Sequence, residues 1–211
     1  MNQKIVICIN REYGSGGRTI GEMLSEDLGI HYYDKEILKL ASDDSGINQR
    51  LFEQADAKFR GTTLFRAAKK VYNGELIPPE SNDFTSDQNL FNYQAKVIRE
   101  LAEEESCIIV GRCGGYILRD NPRAVRVFVH APHYFLMEEA AKRKSLPRRE
   151  LERWVDMENR RRAEYNLYYS GWKWDDAHNY DLCVDASKLG FGKCVEIIKG
   201  YLKVRFDGLE F

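Results

Sequence analysis

Residues 11–21 read REYGSGGRTIG, directly after the apolar run Ile5-Val6-Ile7-Cys8-Ile9. Gly14, Gly16 and Gly17 allow backbone N–H groups to converge on phosphate oxygens, and the amino end of a following helix adds partial positive charge. The chemistry this suggests is capture of a phosphate group, and two patterns compete for it. A dinucleotide-binding G-x-G-x-x-G needs glycine at position 19, which is Thr19, although Asp34 lies at the spacing of a ribose-binding acid. A G-x-x-x-x-G-K-[ST] loop ending on Gly17 puts Glu12 at its first glycine, Arg18 at the lysine and Thr19 at the hydroxyl that reaches Mg²⁺. Glu12 and Arg18 break that pattern. A third reading is a glycine turn that only packs a strand against a helix.

Other residues could serve the same chemistry, and each has a plainer role. Arg112 follows the apolar run Cys107-Ile108-Ile109-Val110, where it either pairs with a carboxylate or meets a ligand at the carboxyl end of a strand. Asp34 either caps the helix that follows it or contacts an acceptor. Residues 141–164 form the dense basic block of the chain, with Arg143, Lys144, Arg148, Arg149, Arg153, Arg160, Arg161 and Arg162. The last three span almost a full helical turn and cannot all face one site; some must lie on a solvated face. Tyr165, Tyr168, Tyr169, Trp172 and Trp174 either stack on a base or pack as core. The four histidines show no metal-ligand spacing.

The elements that must hold these residues alternate. Strands are expected over residues 5–9, 30–33, 107–110, 125–130 and 180–184, and helices over 19–28, 35–42 and 93–105. Strands separated by helices imply parallel pairing through right-handed crossovers, hence a three-layer α/β domain. Residues 43–88 lack this rhythm and read as an inserted helical lobe or flap. At 211 residues, 43% of them hydrophobic, the chain can bury one sizeable core. Its 32 basic and 33 acidic residues leave no global field of the kind that marks binders of nucleic-acid polymers or membrane surfaces. Five cysteines without a C-x-x-C pair predict a reduced, cytoplasmic protein. A strand opening within four residues predicts no signal peptide, and no apolar run nears the roughly 20 residues of a membrane span.

Several separated motifs then line up. The spacing from Gly16 to Asp34, IVGRCGGYILRDNPRAVRVFVHA (109–131), DMENRRRAEYNLYYSG (156–171) and NYDLCVDASKLG (179–190) resemble, in chain order, the cytidylate kinase-like family. The closest likeness is to members whose motifs read S-R-E-Y-G-S-G-G, Y-Y-D-K, V-G-R-C and N-Y-D-L. The resemblance covers most of the chain outside the insert. It implies an α/β, three-layer P-loop nucleoside-kinase fold, a five-stranded parallel sheet with helical insert and lid. It further implies one domain over 1–211, with an acceptor-side insert at about 43–92 and a lid at about 142–171.

By this resemblance the activity is transfer of phosphate from ATP, with Mg²⁺, to a nucleoside monophosphate, CMP or dCMP foremost. Gly14, Ser15, Gly16, Gly17, Arg18, Thr19 and Arg143 are expected on the donor, Asp34 and Arg112 on the acceptor, and Arg18, Arg160 and Arg162 at the transferring group. Aligned without a gap, however, the family's loop lysine falls on Gly17 and its next glycine on Arg18, while acids give way to Val110, Cys113 and Asn159. These departures motivate a second reading, a nucleotide-binding regulatory domain without efficient turnover. The spacing from Gly14 to Asp34 motivates a third, a dinucleotide-binding oxidoreductase.

Overall fold

A computed structural model describes residues 4–58, 74–207 and 209. β1 (Val6–Arg11) leads through the glycine turn into α1 (Gly17–Leu28), followed by β2 (His31–Tyr33), α2 (Glu36–Ser45) and α3 (Gln49–Lys58). α4 (Asp87–Glu104) feeds β3 (Cys107–Val110), the single turn α5 (Gly114–Ile117) and β4 (Ala124–His130). α6 (His133–Arg143), α7 (Arg148–Ser170), β5 (Leu182–Asp185) and α8 (Ala186–Arg205) complete the described chain. All five strands are parallel, in the order β2-β3-β1-β4-β5.

The central strands are apolar on both faces because both are covered. Successive side chains point to opposite sides of the sheet. Val6, Cys8, Cys107 and Ile109 therefore pack with Ile37, Phe91, Ala95 and Ile98 of α2 and α4. Ile7, Ile9, Ile108 and Val127 pack with Ile20 and Leu24 of α1 and Ile198 and Leu202 of α8. This is the expected three-layer α/β arrangement. All five cysteines are free thiols, and among the described residues no helix is long and apolar enough to cross a membrane.

Three differences from the sequence reading bear on the site. β1 runs to Arg11 rather than Ile9, because its pairing with β4 continues to Arg11 opposite Val129. α4 starts at Asp87 rather than near residue 93, and its first turns bury Asn89, Asn92 and Gln94, which interrupt the apolar stripe. The buried Asn89 amide donates to the carbonyls of Ile77 and Phe84 and accepts from Ile77 N–H, so the polar residue ties down the preceding segment. α8 escaped the reading because Gly190, Gly192 and Gly200 dilute its helical signal, with Gly190 forming a kink at φ 71°. The expected insert contains α3 and the first turns of α4, and its residues 59–73 lie outside the described residues.

β5 is held at the edge of the sheet by a charge pair. The Asp181 carboxylate accepts from the Arg126 backbone N–H at 2.8 Å and from its guanidinium at 2.9 and 3.2 Å, with Arg205 3.2 Å away. Burial works to raise this carboxyl, but the Arg126 hydrogen bonds and the two positive charges outweigh it and hold it below the ordinary 3.8. Asp181→Ala is expected to cost about 2–3 kcal/mol in chemical denaturation at pH 7. Because the folded carboxyl titrates below the unfolded one, the pair's stabilisation is present above pH 3.8 and disappears as pH falls through the lowered value. The gap between wild type and Asp181→Ala should therefore close on acidification; a constant gap would mean that packing, not charge, holds β5.

Candidate functional site

The turn between β1 and α1 needs its glycines. Gly14 (φ 89°) and Gly16 (φ 82°) are left-handed, and a Cβ on Gly14 would overlap the Leu136 carbonyl while one on Gly16 would overlap the Phe191 ring. Ser15 is fully buried and its hydroxyl donates to the Glu12 carbonyl at 3.0 Å. Gly16 is the N-cap of α1, no side chain caps this end, and the Ile20 N–H donates to the Gly16 carbonyl at 2.9 Å. The N–H groups of Gly17, Arg18 and Thr19 thus precede the first helical hydrogen bond, which leaves them available to an anion.

The turn opens on a cleft of about 720 Å³ at the carboxyl ends of β1, β2 and β3, where parallel α/β sheets place ligands. Gly14, Gly16, Gly17, Arg18, Asp34, Arg112, Arg143 and Arg162 all line it. Arg18 is half exposed, 3.3 Å from Glu22 and 3.7 Å from Asp34. Asp34 does not cap α2, whose N-cap is Lys35; it stands between Arg18 and Arg11, 4.0 Å from the latter. Arg112 realises both of its readings. It reaches the cleft while pairing with Asp56 at 2.6 Å, donating to Gln94 at 3.0 Å and to the Asp34 carbonyl at 3.0 Å. Arg112 and Cys113 hold positive φ angles of 54° and 55°, unusual for residues with a Cβ, which directs the chain sharply away from β3. Arg143 donates to the Thr19 hydroxyl at 3.3 Å, which joins the carboxyl end of α6 to the first turn of α1.

α7 clasps the same turn. The Asn159 side-chain oxygen accepts from Tyr13 N–H at 2.6 Å, and Arg162 donates to the Arg11 carbonyl at 2.8 Å with its guanidinium over the Tyr13 ring. Arg161 faces inward and pairs with Glu158 at 2.9 Å. Arg160 is not brought to the cleft; it lies exposed on another face of α7, since neighbouring residues on a helix point about 100° apart. The aromatic group is mainly packing: Tyr169 stacks on Phe91 with centroids 4.0 Å apart, Trp172 meets Tyr116 edge-on and Trp174 meets Phe128. Tyr165 also lines the cleft.

Positive charge is crowded here. Burial first, then the charges of Arg11 and Arg161, pull the Arg162 guanidinium well below its ordinary value, to about 9. Burial likewise lowers Arg11, which Asp34 only partly offsets. Arg112 moves the other way, because the Asp56 charge and hydrogen bond outweigh the cost of burial. The geometry suits a multiply charged anion. For Mg²⁺, no group of three or more His, Cys, Asp or Glu able to hold a metal occurs among the described residues. The Thr19 hydroxyl accepts from Arg143 and does not line the cleft, so a Mg²⁺ there would have to arrive with its own phosphate and water ligands, its usual habit.

Sequence reasoning missed Arg11, Asp56, Gln94 and the Asn159 contact. Arg11 adjoins the glycine turn and could have been suspected from that; Asp56 and Gln94 reach the cleft only through the packing of α3 and α4. The clasp yields a direct expectation: Asn159→Ala should cost about 1 kcal/mol, the loss of one hydrogen bond. It should also speed amide exchange at Tyr13 selectively, and unchanged exchange there would show that α7 does not fix the turn.

With this geometry described, the chain's relatives can be placed. It is 26% identical over 138 residues to a cytidylate kinase of Thermosipho melanesiensis, a match that covers 59% of this chain and 63% of that relative's length. In structure it is similar to an uncharacterized protein from Eubacterium ventriosum (TM-score 0.69, 25% identity, covering 95% of this chain and 99% of the other). It shares its fold with a shikimate kinase from Bacteroides thetaiotaomicron (TM-score 0.54, 12% identity, covering 94% and 98%). The profile of the cytidylate kinase-like family matches residues 6–188, so the chain, with its five-stranded parallel sheet and glycine turn, belongs to that family.

Proposed function

We propose that the chain transfers a phosphoryl group from ATP to a nucleoside monophosphate, with CMP or dCMP first among the acceptors. The observation that carries this reading is the cleft at the carboxyl edge of the sheet, where an uncapped helix start and arginines from five separate segments face one volume. Phosphoryl transfer asks little covalent chemistry of a protein; it needs two substrates held in line, charge neutralised and water excluded. Gly14, Ser15, Gly16, Gly17 and Thr19 would cradle the donor phosphates, with Arg18 and Arg143 at the rim. Asp34 and Arg112 would hold the acceptor, the latter already oriented by Asp56 and Gln94. Arg162 would neutralise charge on the transferring group, and Arg161 stands beside it.

Mg²⁺, bound through the donor phosphates and Thr19, would supply further charge neutralisation. The segment at about 142–171, built of the last residues of α6, the connection to α7 and α7 itself, would act as the lid. Family membership supports nucleotide substrates, and the five free cysteines support a reducing, cytoplasmic setting. Two observations favour the regulatory alternative: among the described residues no group of three or more His, Cys, Asp or Glu could hold a metal, and no lysine occupies the turn.

A panel of nucleoside monophosphates incubated with ATP and Mg²⁺ decides between these readings. Conversion of at least one pyrimidine monophosphate is expected. ATP binding without conversion of any acceptor would leave the regulatory domain, and thermal stabilisation by NAD but not by ATP would leave the oxidoreductase. Arg162→Ala should lower kcat on the order of 10³-fold while changing KM little, because a group that acts on the transition state is lost from kcat. A KM effect alone would reassign Arg162 to substrate positioning.

A further inference from the structure

The turn lacks the lysine its pattern calls for, and the space that lysine would use is filled by another residue. Gly17 is the first residue of α1, directly after the left-handed Gly16, and with Arg18 it is one of the two positions on which the resemblance puts the loop lysine. A Cβ built on Gly17 would overlap the Arg11 Cβ and lie 2.8 Å from its Cγ. Any side chain leaving position 17 would therefore follow the path that the Arg11 stem takes. Further along, a Cβ on Gly111 would overlap Arg11 Nη1 and lie 3.4 Å from Cζ. Arg11 thus threads between two glycines, one on α1 and one just past β3, and its guanidinium ends in the cleft.

This guanidinium is under-partnered for its position. It makes no hydrogen bond among the described residues, and its nearest carboxylate is Asp34 at 4.0 Å, which also serves Arg18. Its side chain is 17% exposed. Arg18 is the other cation of the turn, but it is half exposed and directed to Glu22 and Asp34 along the outside of α1.

We propose that Arg11 takes over, from the end of β1, the task of the loop lysine, its guanidinium holding the terminal phosphates of the donor nucleotide. The inference rests on the phosphoryl-transfer reading above for the identity of the donor. It gives a reason for glycine at position 17, where a Cβ would overlap the Arg11 stem; Gly111 is in any case left-handed, at φ 76°. It also assigns the charge crowding around Arg162 a purpose: the Arg11 charge that works against the Arg162 guanidinium in the free protein is offset by one polyphosphate.

The test is the ratio of ATP to AMP affinity, measured by calorimetry in Mg²⁺. Wild type should prefer ATP. Arg11→Met, which keeps the stem and removes the charge, should erase about ten- to a hundredfold of that preference, the range for losing a charged hydrogen bond. Arg11→Lys should keep part of it, and the exchange Arg11→Gly with Gly17→Lys should recover more than Arg11→Gly alone. If Arg11→Met does not melt cooperatively, Arg11→Gln provides the same ratio. An unchanged ratio in a folded variant, a parallel loss of ATP and AMP, or an exchange no better than Arg11→Gly would each overturn the role of Arg11 while leaving the kinase reading standing. Failure of wild type to bind ATP at all would instead overturn the kinase reading, and the inference with it.

Discussion

Crowding of guanidinium groups at one edge of the sheet is the constraint around which this molecule is arranged. Arg11, Arg18, Arg112, Arg161 and Arg162 all reach one cleft, but the nearby carboxylates are unequally shared. Asp56 is committed to Arg112 and Glu158 to Arg161, while Asp34 is divided between Arg11 and Arg18. Arg162 is left with a backbone carbonyl and an aromatic face. Like charges at low dielectric repel strongly, so such an arrangement costs stability in the free protein and favours an anion that enters it. Functional sites are where proteins retain strain of this kind.

The rest of the fold holds these charges together. Parallel strands deliver Arg11, Asp34 and Arg112 to the same edge because each lies at or just beyond the carboxyl end of β1, β2 or β3. The two faces of the sheet are closed by separate apolar cores, which fix the strand ends relative to one another. α7 contributes from the far side. Its residues Asn159 and Arg162, one turn apart, hold the backbone of residues 11 and 13. The glycine turn is thereby fixed by contacts far away in sequence rather than by its own residues alone.

The framework of this protein was legible in its sequence. Short apolar runs separated by amphipathic stretches fix parallel strands and crossovers, because burial on both faces demands continuous apolarity in a strand. β3 matches its expected bounds, residues 107–110, and the other strands differ from theirs by one or two residues at an end. Helices whose pattern is interrupted escaped: α4 begins early on buried Asn89 and Asn92, and α8 is diluted by three glycines. Polar burial and glycine weaken the periodic signal without preventing the helix, since tertiary contacts satisfy the amides and cover the remaining apolar face.

For the site, residue types and local spacing were sufficient to single out the glycine turn, Asp34, Arg112 and the arginine block, because each stands at a strand end or on a helix that the apolar pattern places. Local spacing could not say which arginine of the block faces inward. The rotation of α7 against the turn settles that, turning Arg161 and Arg162 in and Arg160 out. Nor could it pair Arg112 with Asp56, 56 residues away, or show that the Arg11 stem occupies the space above Gly17. Sequence determined which chemistry was available, since composition and period act over a few residues. Only the packed tertiary structure decided which groups share a volume, since excluded volume acts between segments that the chain itself keeps far apart.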